Sequence, residues 1–225
     1  MNDGKYSSRT AYVFETLENE ILGGIYRDGD LLTELKLCEK FNVSRTPVRE
    51  ALNRLKQENL VVETVHGMAV VGVTAQDILD IYEIRKRIEG YATGCCAKMI
   101  TSEQLAQLRE VVDLQEFYTE QGVADHIKDT DSRFHEMIYA FCGSRTLRET
   151  LSDLHRKVQK YRKLSVENPR RAKIAVQEHR DILMALSKHD ADEAEYLAVL
   201  HIENAKRNIA LTAQEALASN KTLES

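Results

Sequence analysis

The sequence lacks the features that mark membrane and secreted proteins. Its longest apolar runs, such as residues 67–73, are far too short to span a bilayer. The first residues contain no apolar signal-peptide core, so we expect a cytoplasmic protein without membrane association. The four cysteines include no CxxC pair and are expected to be reduced thiols. They are Cys38, Cys95, Cys96 and Cys142.

Signatures of common enzymes are also missing. The chain contains no HExxH, no GxSxG and no P-loop motif. In enzymes, such motifs hold a catalytic metal, present a nucleophile or cradle a phosphate. No catalytic residue is therefore predicted.

A strongly basic composition is absent too. The 225 residues carry a net charge of −5, and the first 74 hold nine basic and eleven acidic residues. Between Ser44 and Lys56, however, four basic residues accompany a single acidic one. Any contact with nucleic acid must therefore be local, made by a small basic face on an acidic protein.

Apolar residues at helical spacing are present along most of the chain. A hydrophobic content of 43% and a charged content of 30% are ordinary for a soluble protein. The length allows one large or two modest domains. Proline occurs only twice, as Pro47 at a predicted helix start and Pro169 at a predicted helix break. The chain is predicted to be mainly α-helical.

The first 74 residues predict three helices followed by a β-hairpin. Helices are expected over residues 9–23, 33–41 and 44–57, and strands over 60–65 and 68–73. Residues 25–32 are expected to be a connector. His66 and Gly67 join the two strands, with the glycine at the tip. This order of elements is typical of a winged helix-turn-helix domain, in which the hairpin is the wing.

The third predicted helix has the character of a DNA-recognition helix. Ser44 is a good N-cap, and its side-chain oxygen is expected to accept a first-turn N–H. Arg45, Thr46 and Arg49 lie off the apolar stripe near the helix N-terminus, where such helices contact bases and phosphates. A capped surface helix with solvated arginines is the alternative. The neighbouring helix and hairpin favour DNA binding.

The rest of the chain predicts an all-α antiparallel bundle. The expected helices cover residues 74–99, 102–120, 123–142, 145–166, 170–188 and 191–218. A polar tail over residues 219–225 is expected to be disordered. The predicted domains are therefore residues 1–74 and 75–218.

Four metal-capable side chains fall on the apolar stripes of this bundle: Asp131, His135, His179 and His201. Buried polar groups need partners, and these four satisfy one another if they bind one divalent cation. Three nitrogens and one oxygen suit Zn²⁺, Ni²⁺, Mn²⁺ or Fe²⁺. The alternative is that each histidine is separately satisfied in the core. The remaining histidines are less suited as ligands, because they fall on the hairpin, at helix starts, on exposed faces or in turns: His66, His126, His155 and His189.

Arg85 also lies on an apolar stripe, and a buried arginine needs an anion. Two partners remain open. The arginine either binds a carboxylate effector near the metal or pairs with an acidic residue of the core.

The chain resembles GntR-family transcriptional regulators of the FadR type with an FCD ligand-binding domain. The resemblance covers about residues 9–215, and its most specific stretch is residues 43–52, Val-Ser-Arg-Thr-Pro-Val-Arg-Glu-Ala-Leu. It implies a homodimer that binds inverted-repeat double-stranded DNA, usually as a repressor released by a small organic acid. The resemblance assigns the DNA contacts to Arg45, Thr46, Arg49, His66 and Gly67, and the metal ligands to Asp131, His135, His179 and His201. From the residues themselves we add Ser44 to the DNA-binding site. We also place the effector site at Arg85 and Asn204, which shares a helix face with His201.

The chain departs from the family pattern at three places. Leu35 follows Glu34 where an arginine is common, Asp28 precedes Gly29 where a proline is usual, and the hairpin lacks the usual arginine. The last departure shifts hairpin contacts towards His66, whose charge changes near neutral pH. Two other functions are compatible with a metal in the helical bundle: a metal-dependent hydrolase or lyase, and a regulator whose metal is purely structural.

Overall fold

The computed structural model describes residues 3–159 and 168–223, with side chains described for 9–159 and 168–209. The chain divides between Asp77 and Ile78 into two compact units. In the part of the chain that the structure describes, no helix is long and apolar enough to cross a bilayer.

The N-terminal unit contains three helices and a small sheet. Its elements are α1 (Asp3–Leu22), β1 (Leu31–Leu32), α2 (Glu34–Phe41), α3 (Arg45–Gln57), β2 (Val61–Thr64) and β3 (Gly67–Val70). α1 packs mainly on α3, where Val13 and Leu17 meet Val48 and Leu55 in one core. The unit is a winged helix-turn-helix, as predicted.

Two details of the hairpin differ from the prediction. The expected connector contains β1, because Leu31 and Leu32 pair with β3 and make an antiparallel sheet of order β1-β3-β2. The tip is formed by Val65 and His66, whereas Gly67 is the first residue of β3 and pairs with Thr64. A two-residue strand is too short to show a periodic signal, and its partners in β3 lie 36 and 38 residues further along the sequence.

The turn between α2 and α3 is made by Asn42 in a left-handed conformation, with a φ of 50°. Ser44 then occupies the N-cap of α3 with an extended backbone. Its hydroxyl makes no capping hydrogen bond to the described backbone, so the predicted capping bond is wrong although the cap position is right. The helix start therefore leaves first-turn N–H groups available to an external acceptor.

The C-terminal unit is a bundle of long helices. They are α4 (Ala75–Met99, which begins just before the division), α5 (Ser102–Gln121), α6 (Ala124–Phe141), α7 (Arg145–Lys157), α8 (Pro169–Ser187) and α9 (Ala191–Leu223). α5 packs against α6 and α8, and α9 packs against α8. One apolar core joins them, with Leu108, Phe134 and Leu186 fully buried.

The helix ends follow local signals. Thr101 and Gln104 form a reciprocal capping box at the start of α5, and Gly122 ends that helix with a positive φ of 69°. Asn168 accepts the backbone N–H groups of Arg170 and Arg171 at the start of α8, with Pro169 in the first turn. Pro169, predicted to lie at a helix break, is therefore the first residue of α8.

Two helix ends differ from the prediction. The described helix α7 ends at Lys157 rather than Val166, and residues 160–167 lie outside the described chain. α9 continues through the predicted disordered tail as far as Leu223, instead of ending near Ala218.

Candidate functional site

One face of α3 is free of the core. The helix buries an apolar stripe, which consists of Pro47, Val48, Ala51, Leu52 and Leu55. Arg45, Thr46 and Arg49 are exposed, as the helical spacing predicts. His66 is also exposed at the hairpin tip, and Gly67 is half-buried beside it. The unit thus presents two arginines near a helix N-terminus, next to a β-hairpin.

Arg49 is held by a residue that the sequence reasoning did not include in the site. Its Nε donates to Oε1 of Glu34 at 2.6 Å, across the turn between α2 and α3. This hydrogen bond lowers the pKa of the Glu34 carboxyl below its ordinary value. Both residues line a groove between α3 and the hairpin, together with Asn53 and Thr64. Glu34 therefore orients one of the two arginines.

The other two basic residues of this stretch have partners inside the unit. The guanidinium carbon of Arg54 lies 3.9 Å from the ring centroid of Phe14, and Lys56 Nζ lies 2.6 Å from Glu63 Oε2. The basic face seen in the sequence is therefore narrower in the structure, and Arg45 and Arg49 are its principal members.

In the helical unit, three predicted ligands converge. His135 on α6, His179 on α8 and His201 on α9 are all buried, and one nitrogen from each lies within 4.8 Å of the other two. The Nε2 atoms of His135 and His201 are only 3.2 Å apart. Phe134 stacks on the His179 ring at 4.1 Å and closes one side of the cluster.

The opposite nitrogen of each ring faces an outer acceptor. His135 Nδ1 lies 2.5 Å from Glu89 Oε1, and His201 Nδ1 lies 2.7 Å from Glu178 Oε2. His179 Nδ1 lies 2.7 Å from Oε1 of Gln115. These oxygens accept hydrogen bonds, so each Nδ1 carries the proton and each Nε2 keeps a lone pair in the neutral ring. Two facing lone pairs at 3.2 Å require a proton or a cation between them, and the cluster therefore fits a divalent metal.

Asp131 lies at the edge of this cluster. Its Oδ1 is 3.7 Å from His179 Nε2 and accepts a hydrogen bond of 3.3 Å from Gln115 Nε2. It is not among the three residues whose ligand atoms converge. The structure thus brings together three of the four predicted ligands and places Asp131 beside one of them.

Arg85 has an acidic partner in the core. It is fully buried, with Nε 3.0 Å and Nη2 2.9 Å from Glu89 Oε2. Burial by itself lowers the pKa of Arg85, but the charge of Glu89, with smaller contributions from Tyr139 and Tyr82, raises it above the ordinary value. Of the two partners left open above, the core acid is present.

A second buried arginine lies on the other side of the cluster. Arg171 Nη2 is 2.8 Å from Glu178 Oε2, and Asn204 Nδ2 donates to Glu178 Oε1 at 2.8 Å. Burial alone raises the pKa of Glu178, but the hydrogen bond from His201 and the charges of His201 and Arg171 bring it to about 2. Asn204 therefore lies close to His201, as its helical spacing predicts.

Four polar residues near the cluster escaped the sequence reasoning: Glu89, Gln115, Glu178 and His155. The sequence places His155 among the less suited histidines, yet its ring is fully buried, 5.7 Å from the His135 ring and beside Tyr139. Gln115 falls on the apolar stripe of α5, and Glu89 lies one turn after Arg85. Both spacings were available in the sequence. The choice of partner was not, because it depends on contacts between distant helices.

Comparison with known proteins agrees with this architecture. Residues 9–70 match the family described as bacterial regulatory proteins, gntR family, and residues 80–204 match the FCD domain. The HTH-type transcriptional regulator YdhC of Bacillus subtilis is 27% identical, over 91% of this chain and 93% of that protein. The HTH-type transcriptional repressor RspR of Escherichia coli is 26% identical, over 90% of each.

A solved structure shows the same fold. E. coli McbR/YncC superposes with a TM-score of 0.74 at 25% identity, covering 92% of this chain and 98% of that one. A winged helix-turn-helix followed by a histidine-bearing helical domain defines a DNA-binding regulator with a sensor domain. The chain belongs to the GntR family of bacterial regulatory proteins and carries an FCD domain. It is a transcriptional regulator and not an enzyme.

Proposed function

We propose that this regulator is a homodimeric repressor whose DNA binding is controlled by a small carboxylate bound next to a divalent metal. The observation that carries the sensing half is the convergence of three buried histidine nitrogens within 4.8 Å. The relative RspR is named a repressor, which supports the direction of regulation.

In the DNA-binding half, each subunit places the N-terminus of α3 in the major groove of one half of an inverted repeat. The proposed contacts are Ser44, Arg45, Thr46, Arg49, His66 and Gly67. Arg45 and Arg49 suit guanine or phosphate, because a guanidinium donates two parallel hydrogen bonds. The first-turn N–H groups that Ser44 leaves uncapped suit a phosphate oxygen.

In the sensing half, the proposed metal ligands are Asp131, His135, His179 and His201. Nitrogen-rich donors favour Zn²⁺, Ni²⁺, Mn²⁺ or Fe²⁺ over Ca²⁺ and Mg²⁺. When bound, the metal supplies a Lewis-acidic position for an anionic ligand. Asp131 Oδ1 lies 3.7 Å from His179 Nε2, and we expect the carboxylate to move towards the ion when the metal binds.

The effector is held by Arg85 and Asn204 beside the metal. Glu89 engages the Nε and Nη2 atoms of Arg85, so Nη1 lies outside that ion pair. A guanidinium suits a carboxylate ligand, because it donates charge-assisted hydrogen bonds. Effector binding then shifts the bundle between two states with different affinity for the operator.

A gel shift with the DNA upstream of the protein's own gene tests the DNA half. The Arg45→Ala/Arg49→Ala variant is expected to bind more weakly than wild type, since each lost base contact costs about 1–3 kcal/mol. Arg87→Ala, an exposed arginine of the helical unit, controls for the loss of charge. Equal binding by the double variant and wild type would show that these arginines do not contact the operator.

A thermal-shift screen tests the sensing half. Zinc-loaded protein is mixed with a panel of small carboxylates, with and without chelator. A carboxylate that binds the native site raises Tm only when the metal is present. If the metal stabilises the protein and no carboxylate adds to that effect, the ion is structural and the sensing proposal is wrong.

A further inference from the structure

Two of the three metal-facing histidines stand at the end of a buried chain of charges. In each chain an arginine holds a glutamate, and the glutamate contacts the Nδ1 atom of a histidine. The two chains are Arg85–Glu89–His135 and Arg171–Glu178–His201. The third histidine, His179, has the neutral side chain of Gln115 in the same position.

The first chain is almost entirely closed to solvent. The Arg85 and Glu89 side chains are 1% and 3% exposed, and the two oxygens of Glu89 have different tasks. Oε2 faces the Arg85 guanidinium, while Oε1 lies 2.5 Å from His135 Nδ1. The carboxylate is therefore fixed from one side by α4 itself and directed at a ring carried by α6.

The second chain is built from other helices but has the same order. Oε2 of Glu178 lies 2.8 Å from Arg171 Nη2 and 2.7 Å from His201 Nδ1. Its Oε1 accepts from Asn204, so both oxygens are occupied. Glu178 directly precedes His179 in the sequence, yet it contacts His201 of α9 rather than His179.

We propose that Glu89 and Glu178 are positioning residues of the metal site, which accept the Nδ1–H of His135 and His201 and turn both Nε2 lone pairs towards the ion. This inference rests on the metal centre proposed above. An outer carboxylate fixes the tautomer of a ligating histidine, orients its ring and increases its basicity. The two arginines hold the carboxylates in place, so the ring positions exist before the ion arrives.

The alternative is that the two glutamates serve only the fold, as partners of the buried arginines. That role requires an anion beside each guanidinium, but it does not require an oxygen at hydrogen-bond distance from a histidine in both chains. The two roles differ in a measurable quantity. A positioning glutamate changes metal affinity and ligand-atom choice, whereas a purely structural one changes folding stability alone.

Wild-type protein provides the first test. Long-range ¹H–¹⁵N correlation spectra of the zinc-loaded full chain report which nitrogen of each histidine carries the proton. We expect Nδ1–H and metal-bound Nε2 for His135 and His201. Metal bound through Nδ1 of either ring overturns the proposal, because that nitrogen then cannot donate to the glutamate.

Zinc affinity of full-length variants, measured by competition with a chromogenic chelator, provides the second test. Glu89→Gln and Glu178→Gln keep an oxygen acceptor and remove the charge, and each is expected to weaken zinc binding about 10- to 100-fold. Glu178→Met removes the acceptor and is expected to bind more weakly still. Glu83→Gln is the matched control on α4, because Glu83 pairs with lysines instead of a histidine.

Cobalt-loaded proteins distinguish failure of the positioning role from failure of the metal centre itself. A wild-type tetrahedral Co²⁺ spectrum that disappears in His179→Ala supports the histidine site itself. If that holds and both glutamine variants match Glu83→Gln in zinc affinity and cobalt spectrum, the positioning role is wrong while the metal centre survives. If wild type binds neither ion, the metal centre fails, and this inference fails with it.

Discussion

Individual glutamates in this protein hold arginine side chains in a fixed orientation. Glu34 does so at the surface, where it accepts from the Nε of Arg49 rather than from a terminal guanidinium nitrogen. An arginine already held by a carboxylate loses less conformational entropy when it meets a base. The Glu34–Arg49 pair therefore favours a role of Arg49 in distinguishing bases over a role in binding phosphate.

We expect Arg49→Lys to lose base discrimination while keeping non-specific affinity. Lysine preserves the charge but cannot donate in the planar two-pronged arrangement that guanine O6 and N7 accept. Binding to the operator should weaken by about 1–3 kcal/mol, and binding to an unrelated duplex should not change. Fluorescence anisotropy on the two duplexes measures both. Equal losses would identify Arg49 as a phosphate contact.

Gln115 makes hydrogen bonds to two buried groups, the His179 ring and the Asp131 carboxylate. Its carbonyl accepts from His179 and its amide donates to Asp131. We expect Gln115→Leu to destabilise metal-free protein by about 1–3 kcal/mol, because it deprives a buried donor and a buried acceptor of a partner. Urea unfolding measures the effect. Gln107→Leu, at an exposed position of α5, is the control and should stay within about 0.5 kcal/mol of wild type.

Between helices, the contact of α4 with α9 depends on small residues. A Cβ at Gly90 would lie 2.6 Å from Val199 Cγ2 and 3.2 Å from the Glu195 carbonyl oxygen. A Cβ at Gly94 would lie 3.1 Å from the Ala191 carbonyl oxygen. The two helices approach closely at these positions, and glycine is required there by the neighbouring helix rather than by its own backbone angles.

We expect Gly90→Ala to be destabilising overall. Alanine gains about 0.5–1 kcal/mol in helix propensity, but overpacking costs about 1–3 kcal/mol. Adding Val199→Ala removes the nearest methyl group, so the double variant should be more stable than the sum of the two single changes. Urea unfolding of the four proteins gives the coupling energy. Strict additivity would mean that the helices separate freely at this point.

The same two helices share a partly exposed ionic network. Glu83 contacts Lys86 at 2.9 Å and Lys206 at 3.0 Å, and Lys86 also contacts Glu203 at 3.0 Å. Hydrogen bonds from Lys86 and Lys206 lower the pKa of Glu83 from 4.5 to about 2. A lowered folded-state pKa means that the carboxylate stabilises the fold above about pH 4.5 and loses this effect as the pH falls towards 2.

The difference in unfolding free energy between wild type and Glu83→Gln should change over the same pH range, from about 4.5 down to about 2. We expect wild type to be more stable at pH 7 and the difference to shrink below about pH 4.5. High salt should also reduce this stability difference, because the network is partly exposed and ions screen its charges. Chemical unfolding at several pH values, with and without 1 M salt (about 3 Å screening length), measures this. Glu110→Gln, an exposed residue of α5, serves as the control.

For the molecule as a whole, local signals account for most of the architecture. The predicted ends of the helices over 102–120 and 123–142 agree with the structure to within one residue, since Gly122 and Gly143 follow α5 and α6 with positive φ. The inward direction of the three histidines followed from their spacing with apolar neighbours. Pairings between distant segments were missed. β1 exists only because β3 lies beside it, and Glu89 and Gln115 reach the histidines from helices that carry no ligand.

Metal binding should stabilise one unit of the chain and leave the other unchanged. The two units have separate cores, and all the converging histidines belong to the helical one. Zinc at 100 times its Kd should add about 2.7 kcal/mol to the opening free energy of amides in α6, α8 and α9. Hydrogen exchange followed by mass spectrometry locates the change. Protection that extends equally over α1 to α3 would contradict the independence of the units.

The histidine cluster also limits how this domain can change in length. Its five inward groups come from five helices: Glu89 on α4, Gln115 on α5, His135 on α6, His179 on α8 and His201 on α9. A single-residue insertion or deletion inside one of these helices turns its inward side chain by about 100° relative to the part of the helix on the other side of the change. Gains and losses of residues among homologues should therefore accumulate in the connections and in α7, while these five helices keep their register.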